Sequence, residues 1–407
     1  MEFLTSLTPE QALKVINTFP LPSPDAEQVP LDQAPGRVLA ADIIAREDIP
    51  PFPRSLVDGY AVKAKDTYGA REGSPAFLLL KGAVAVGEVT EAQVGDGEAV
   101  GVATGAMLPA GADGVVMEEH TRRAADGVEV THTVRQKEHI CFRGEDLEAG
   151  QVALEKGKVL SPFDIGVLAA LGVVAVPVYR QVLVGIVSSG NEIVAADKAP
   201  PPGKVRDINT HTVSGLLRNR GCLVRFAGIA RDRVKDLAEK LTVLKGCDML
   251  LLSGGSSKGQ SDFMTSAVEL LGGKTLFHGL NIKPGKPTVF ASLWDKPVFG
   301  LPGHPVSCAM VVLRFVLPLA ARLRGEKGEV FPRTQAGTLS TNVPSTYGIE
   351  EYVRVTVARQ GNRTSVTPLF AKSSVISTLS RADGYIIVRA GKEGLEAGEE
   401  VEVYPLG

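Results

Sequence analysis

Two stretches of this chain combine bare backbone and cations at a spacing suited to holding an anion. The first is Ser253-Gly254-Gly255-Ser256-Ser257-Lys258-Gly259, which follows the apolar run Met249-Leu250-Leu251-Leu252. Small residues there leave backbone amides open, and Asp262 stands where a helix N-cap belongs, ahead of Phe263, Ala267, Leu270 and Leu271. A strand, a Gly-rich loop and a helix start form an anion-binding corner, because amide N–H groups and the positive helix end converge on it. A tight turn with a cap is the simpler alternative. The stretch is neither a G-x-x-x-x-G-K-[ST] loop nor a G-x-G-x-x-G turn. The second is Lys283-Pro284-Gly285-Lys286-Pro287, followed by Val298-Phe299-Gly300-Leu301-Pro302-Gly303-His304-Pro305. Two prolines stiffen the backbone around two cations, more than a solvated loop needs, and this favours an oxyanion. Pro305 falls at N1 of a long apolar helix with His304 at its cap, which helix initiation alone would also explain.

Carboxylates accompany these loops. Val187-Ser188-Ser189-Gly190-Asn191-Glu192 runs from a strand into a small-residue turn that ends in an acid. Asp207-Ile208-Asn209 precedes a helix that Asn209 would cap, leaving Asp207 free. Glu192, Asp207 and Asp262 each follow a predicted strand or precede a predicted helix of one sheet, so they could meet at one rim. Carboxylates beside two lysines suit Mg²⁺ bound together with a phosphoanhydride. In the first half, Asp58 in Ser55-Leu56-Val57-Asp58-Gly59-Tyr60 and Thr104 in Ala103-Thr104-Gly105-Ala106 sit in stiff small-residue loops. Turn chemistry is the alternative for both. Arg143-Gly144-Glu145-Asp146 could be an ordinary charged turn.

The elements that must position these residues change character along the chain. Thr8-Pro9-Glu10-Gln11 is a capping box opening a helix with Ala12, Val15, Ile16 and Phe19 on one face. Residues 47–62 read as a proline-dense loop, and residues 77–134 as a small all-β module. Ser161-Pro162-Phe163-Asp164 opens a second helix, with Gly172 at its C′ position. From about Val173, apolar runs at 173–178, 182–187, 223–229, 249–252 and 298–301 alternate with helical patterns at 210–220, 232–245, 262–271 and 306–323. That alternation predicts a parallel sheet covered on both faces, with its ligand site at the carboxyl ends of the strands. Beyond Gly325 shorter strands at 351–357, 365–369, 385–390 and 400–404 predict a β-sandwich or barrel.

Composition narrows the class. The 407 residues suffice for two to four domains, and the 44% hydrophobic and 22% charged fractions are those of a globular protein. A formal charge of −2 argues against non-specific nucleic-acid or membrane-surface binding, which would need a basic excess. Cys141, Cys222, Cys247 and Cys308 are scattered without C-x-x-C, which favours buried reduced thiols over a zinc site. Met1-Glu2-Phe3-Leu4-Thr5 lacks the basic start of a signal peptide. The apolar segment 308–323 contains Arg314 and Pro318 and is expected to be a core helix rather than a membrane span. The expected compartment is the cytoplasm.

Together the motifs resemble one family. Asp58-Gly59-Tyr60-Ala61, Thr104-Gly105-Ala106 with Pro109-Ala110-Gly111-Ala112-Asp113, Arg143-Gly144-Glu145-Asp146, Ser189-Gly190-Asn191-Glu192 and Asp207-Ile208-Asn209 occur in its order. So do Ser253-Gly254-Gly255 with Asp262, Lys283-Pro284-Gly285-Lys286-Pro287 and Leu301-Pro302-Gly303-His304-Pro305-Val306-Ser307. The chain resembles molybdopterin molybdenumtransferase of the MoeA type, a family shared with the C-terminal domain of gephyrin. The resemblance runs from about Leu7 to the end. It implies a multidomain α/β plus all-β chain, in which a central doubly wound α/β domain of molybdopterin-binding type is joined by an inserted β module and a C-terminal β-barrel. The expected domains are residues 1–48 with 143–176 for linkage and dimerisation, 49–142 for the β module, 177–326 for the α/β domain, and 327–407 for the barrel.

The resemblance also implies a homodimer with its site in a cleft between subunits. The implied reaction converts adenylylated molybdopterin and molybdate into molybdenum cofactor and AMP, with Mg²⁺ and with possible handover from a molybdopterin adenylyltransferase. On the family pattern, Asp58, Thr104, Glu192, Asp207, Asp262, Lys283 and Lys286 belong to catalysis, with Glu192, Asp207 and Asp262 holding the metal. Asp146, Ser253, Gly254, Gly255, Ser256, Pro302, Gly303, Pro305, Arg354 and Ser373 would bind the ligand. No side-chain nucleophile is required, and Cys308 is expected to be packed in its helix. Many members carry Asp where Asn191 stands, Val-Ser-Val-Gly in place of Ser256-Ser257-Lys258-Gly259, and Asn where His304 stands. Rival readings are the adenylyltransferase that makes the substrate, and a gephyrin-like binding scaffold without catalysis.

Overall fold

Turn residues dominate the first part of the chain and helical periods the second, and the computed structural model splits into two units. It describes residues 6–254, 258–328, 334–361 and 363–406, with the side chains of residues 258–262 and 360 outside that description. One unit is Ala41–Glu155 with Pro162–Ala175, the other Met1–Ala40, Lys156–Ser161 and Val176–Gly407.

The smaller unit is built on a six-stranded sheet. Its strands are β1 (Gly59–Val62), β2 (Ala76–Val84), β3 (Glu98–Val102), β4 (Gly114–Met117), β5 (Thr121–Arg123) and β6 (Gly127–Val130), in the order β4-β1-β3-β2-β6-β5. Val and Ala alternate across it, so Ala61, Val100 and Val115 pack on one face and Val62, Ala99 and Val116 on the other. The end of the proline-dense loop is thus a strand: β1 pairs antiparallel with both β3 and β4. The periodicity of Gly59-Tyr60-Ala61-Val62 is too short to distinguish from loop, and its two neighbours decide it. Helix α1 (Pro162–Ala170) begins with its proline at N1, and Gly172 follows it at φ +67°.

The larger unit opens with the helix Pro9–Thr18, whose capping box forms as expected: the Gln11 amide donates to Thr8 Oγ1 and the Thr8 amide to Gln11 Oε1. Its central layer alternates β7 (Leu183–Ser189), α2 (Asn209–Asn219), β8 (Leu223–Ala230), α3 (Val234–Val243), β9 (Met249–Gly254), α4 (Lys258–Leu270), β10 (Lys274–His278), β11 (Ile282–Lys283), β12 (Val289–Leu293), β13 (Lys296–Leu301), α5 (Pro305–Val311) and α6 (Leu317–Leu323). The sheet order is β8-β7-β9-β13-β12-β10. The first four strands run parallel, and β12 and β10 are antiparallel additions that the parallel expectation did not contain. The apolar run at 173–178 is not in this sheet: the strand Ala175–Tyr179 pairs with Ala26–Pro30 instead.

Both faces are covered. Met249 and Leu251 point into a cluster with Ile16, Val213, Leu217 and Phe315, while Leu250 and Leu252 point into one with Leu237, Leu241, Ala267 and Val268. An unbroken apolar run is what such a two-sided strand requires.

The segment from Pro305 to Leu323 is long and apolar enough to cross a membrane by composition, but 89% of its apolar window is buried here. Between α5 and α6 it widens into a π turn, Val312–Val316. Pro318 lacks the N–H that would continue the ladder, which accounts for the disturbance. Arg314 lies in that turn, its guanidinium 5.7 Å from the ring centres of both Tyr352 and Tyr404.

The C-terminal strands are β14 (Gln335–Leu339), β15 (Glu350–Gln360), β16 (Arg363–Pro368), β17 (Gly384–Val388) and β18 (Glu400–Pro405). They close in the order β15-β16-β14-β18-β17 and back to β15, a five-stranded barrel around Val353, Val355, Val366, Ile386 and Val403. Strand β11 adds to β15 in parallel, with Ile282 opposite Glu350 and Lys283 opposite Glu351. The lysine loop is therefore strapped to the barrel.

Candidate functional site

Parallel register aligns the strand ends that make the rim. Ser188 lies opposite Ser253, Ser189 opposite Gly254, and Ser253 opposite Leu301, so three loops leave the sheet at one level. Close approach fixes one of these residues: a Cβ on Gly254 would lie 2.3 Å from both the carbonyl oxygen and the hydroxyl of Ser189. Gly254→Ala must therefore push the two strand ends apart, at about 1–3 kcal/mol by the usual cost of overpacking. A lowered thermal midpoint together with weakened ligand binding is expected, and an unchanged melting curve would contradict the close approach.

A cleft of about 390 Å³ opens at this rim, lined among others by Ser188, Glu192, Asp207, Gly254, His304 and Pro305. Asp207 is buried, and its Oδ1 accepts from the Thr210 amide at 3.1 Å. The capping roles are thus reversed from those expected. Asp207 caps α2, while the Asn209 amide group donates to the Gly303 carbonyl at 2.9 Å and the Pro302 carbonyl at 3.4 Å. The reversal has a plain cause, since the carbonyls of residues 302 and 303 are supplied by another strand's loop and have no local signature. Ser253 is buried at the rim. Glu192 is half-buried in the same cleft.

Asp262 is the fifth residue of α4, which begins at Lys258, so it does not cap the helix as expected. Gly255, Ser256 and the Asp262 side chain lie outside the described residues. Among the described residues no group of three or more His, Cys, Asp or Glu forms a metal cluster. Glu192 and Asp207 nevertheless share one cleft with the serine hydroxyls, and that hard-oxygen donor set is one that Mg²⁺ accepts.

A second cleft, of about 310 Å³, is lined by Lys283, Glu351, Arg354, Phe370, Lys372 and Ser373 among others. Lys283 pairs with Glu351 Oε1 at 2.9 Å, and the Ser345 hydroxyl donates to the other Glu351 oxygen at 2.9 Å. Arg354 is 6% exposed; its Nη2 donates to the carbonyls of Ala371 at 2.8 Å and Leu369 at 3.5 Å. Its Nε and Nη1 have no partner among the described residues. Burial pushes the guanidinium pKa down from its ordinary value, yet an arginine stays charged. The two clefts meet where His304 Nδ1 and Ser373 Oγ are hydrogen-bonded at 2.9 Å, with Ser374 lining the first cleft. Lys286 is exposed in the adjoining turn, its carbonyl accepting from the Leu280 amide. Its ammonium has no ion-pair partner among the described residues.

Cys308 is buried in α5, and burial pushes its thiol up to about 12. It is packed in its helix, as expected.

In the smaller unit the Thr104 amide and hydroxyl both donate to Asp58 Oδ1, at 2.7 and 3.1 Å. These two expected residues are therefore brought together. Asp58 lines a cleft of about 450 Å³ with Glu118 and Arg123. Asp146 is exposed on a separate turn, its amide donating to the Ile49 carbonyl.

Sequence reading gave no role to Glu351 or Phe370, and gave Asn209 a cap where the structure makes it a bridge to the 302–303 carbonyls. Glu351 and Asn209 act through partners far along the chain, and a lone Phe after a strand carries no signal of its own.

Comparison with known proteins gives a consistent picture. Residues 7–172 match the profile described as MoeA N-terminal region (domain I and II), residues 185–322 the probable molybdopterin binding domain, and residues 336–406 the MoeA C-terminal region (domain IV). The molybdopterin molybdenumtransferase of Haemophilus influenzae is 31% identical over 404 residues, covering 98% of each chain. That of Bacillus subtilis is 32% identical over 386 residues, 93% of this chain and 89% of the other. A crystal structure of a molybdopterin biosynthesis MoeA protein from Pyrococcus horikoshii OT3 superposes with a TM-score of 0.84 at 32% identity, covering 98% of this chain and all of that one.

Proposed function

Since the chain belongs to the MoeA family of molybdopterin molybdenumtransferases, we propose that it inserts molybdate into adenylylated molybdopterin and releases AMP. It is a transferase of molybdenum cofactor biosynthesis. One observation carries the finer reading. A buried arginine with two unpartnered donors sits beside Lys283 in a cleft that adjoins a second cleft bearing two carboxylates. A cationic cleft suits molybdate, a compact dianion, and an acidic one suits a metal-chelated diphosphate.

Glu192 and Asp207 would hold Mg²⁺, with Asp262 the third ligand expected from the family pattern. When bound, the ion would neutralise the diphosphate and ease departure of AMP. The chain's own groups do the rest. Asn209 pins the 302–303 backbone and so fixes the rim opposite the carboxylates. Lys283 exchanges Glu351 for an incoming oxyanion, and Lys286 adds positive charge from the adjoining turn. Ser253, Gly254, Gly255, Ser256, Gly303, Pro305 and Ser373 shape the ligand surface, while Asp58, Thr104 and Asp146 are assigned to activity on the family pattern.

Purified protein given adenylylated molybdopterin, Mg²⁺ and molybdate should release AMP in proportion to cofactor formed. Consumption of ATP with pyrophosphate release would instead make it the adenylyltransferase. No nucleotide chemistry would leave a binding scaffold.

The homodimer belongs to the same reading. In the smaller unit Phe163 is 87% exposed and Val174 73%, and Ile44 and Val152, opposite one another on paired strands, are exposed as well. Exposed apolar side chains of this size are what a partner subunit would cover. Light scattering is expected to give twice the 42.9 kDa chain mass, and Phe163→Glu to shift it toward one. A monomer throughout would remove this part. The cytoplasm, with substrate handed over by an adenylyltransferase, completes the proposal.

A further inference from the structure

Resting on that reading, we propose that Phe370 is the stacking platform for the pterin ring of the substrate. A single exposed ring on open surface needs no explanation. This one is 61% exposed and lines the cleft that holds Arg354, Lys283 and Ser373. Its backbone is held on both sides, because Arg354 Nη2 donates to the carbonyls of Leu369 and Ala371, the residues before and after it. The Leu369 amide in turn donates to the Arg354 carbonyl at 2.8 Å. One arginine therefore lines the cleft and fixes the loop that carries the ring, so the two features keep a constant spacing.

Substrate chemistry says which ring lies there. The dithiolene that takes up molybdenum is carried on a ring fused to the pterin, so a planar heteroaromatic system must lie beside the metal oxyanion when the two meet. The adenine is separated from that point by the ribose and the diphosphate, whose natural place is the neighbouring cleft with Glu192 and Asp207. An aromatic face beside cationic groups is the arrangement that holds a flat heterocycle against an anion site. Stacking tolerates exchange among aromatic residues and fails with aliphatic truncation.

Titration calorimetry of wild-type protein with neopterin, and separately with AMP, tests this without turnover. Phe370→Ala is expected to weaken neopterin binding about tenfold or more, as loss of one base-stacking contact does, and Phe370→Trp to restore it. AMP affinity should be unchanged. In the kinetic assay the KM for adenylylated molybdopterin rises by a similar factor in Phe370→Ala, while the KM for molybdate stays at the wild-type value. No neopterin binding to the wild type at millimolar concentration, equal affinity in the alanine variant, or loss of AMP affinity instead would each overturn the assignment. The two ideas also fail separately. Neopterin binding through Phe370 without any AMP release would sink the insertion reaction alone, and AMP release by Phe370→Ala at unchanged KM would sink only the platform.

Discussion

Arg354→Ala is expected to raise the KM for molybdate about thirtyfold or more, the lower end of what losing one partner of a buried charge contact costs. Arg354 is buried, lines a cleft with Lys283, and has two buried donors without partners among the described residues. Removing it takes away the charge and also frees the carbonyls of Leu369 and Ala371. Stability should fall as well, because two part-buried carbonyls lose their donor and a buried side chain is truncated. Arg354→Lys separates the two effects. A lysine keeps the charge but cannot span two carbonyls and an anion at once, so molybdate affinity should remain well below wild type. Steady-state kinetics against molybdate, beside thermal melts, provide the check. An unchanged KM for molybdate in Arg354→Ala would falsify the oxyanion cleft, whatever its melting point.

Asp207→Asn should lower kcat by about a hundredfold or more while barely altering stability. The carboxylate caps α2 through the Thr210 amide, and asparagine caps a helix nearly as well, so the fold keeps its hydrogen bond. What disappears is the negative charge in the cleft shared with Glu192. If Asp207 helps hold Mg²⁺, the variant needs far more Mg²⁺ for half-maximal rate, and raised Mg²⁺ partly restores turnover. Asp207→Ala would lose cap and charge together and melt earlier, by about 1 kcal/mol. A Mg²⁺ requirement identical to wild type in Asp207→Asn would assign the residue to structure alone.

Much of the frame was legible because its signals are local. The Thr8 to Gln11 capping box needs four neighbouring residues, and it forms as written. The run Met249-Leu250-Leu251-Leu252 is apolar on both faces, as a strand between two helical layers must be, and its residues divide between two cores. The small-residue loops at Ser188, Ser253 and Gly303 could be placed at strand ends, and the alternation of strand and helix put those ends on one rim. The short run at 173–178 misled, because so brief an apolar stretch does not say which strand it pairs with, and the strand Ala175–Tyr179 pairs with Ala26–Pro30.

By itself, then, the sequence determined the layered core, the helix starts with local caps, and the supply of carboxylates and cations in stiff loops. Only the tertiary structure decided which carboxylate caps and which amide bridges, that Lys283 rests on Glu351, and that Arg354 grips the loop carrying Phe370. It also decided that His304 and Ser373, 69 positions apart, close the boundary between two clefts. The physical reason is the range of the interactions. Capping, periodicity and turn geometry act over a few bonds and leave their mark in neighbouring residues. A hydrogen bond between distant loops depends on strand order and register, which the whole packed chain selects.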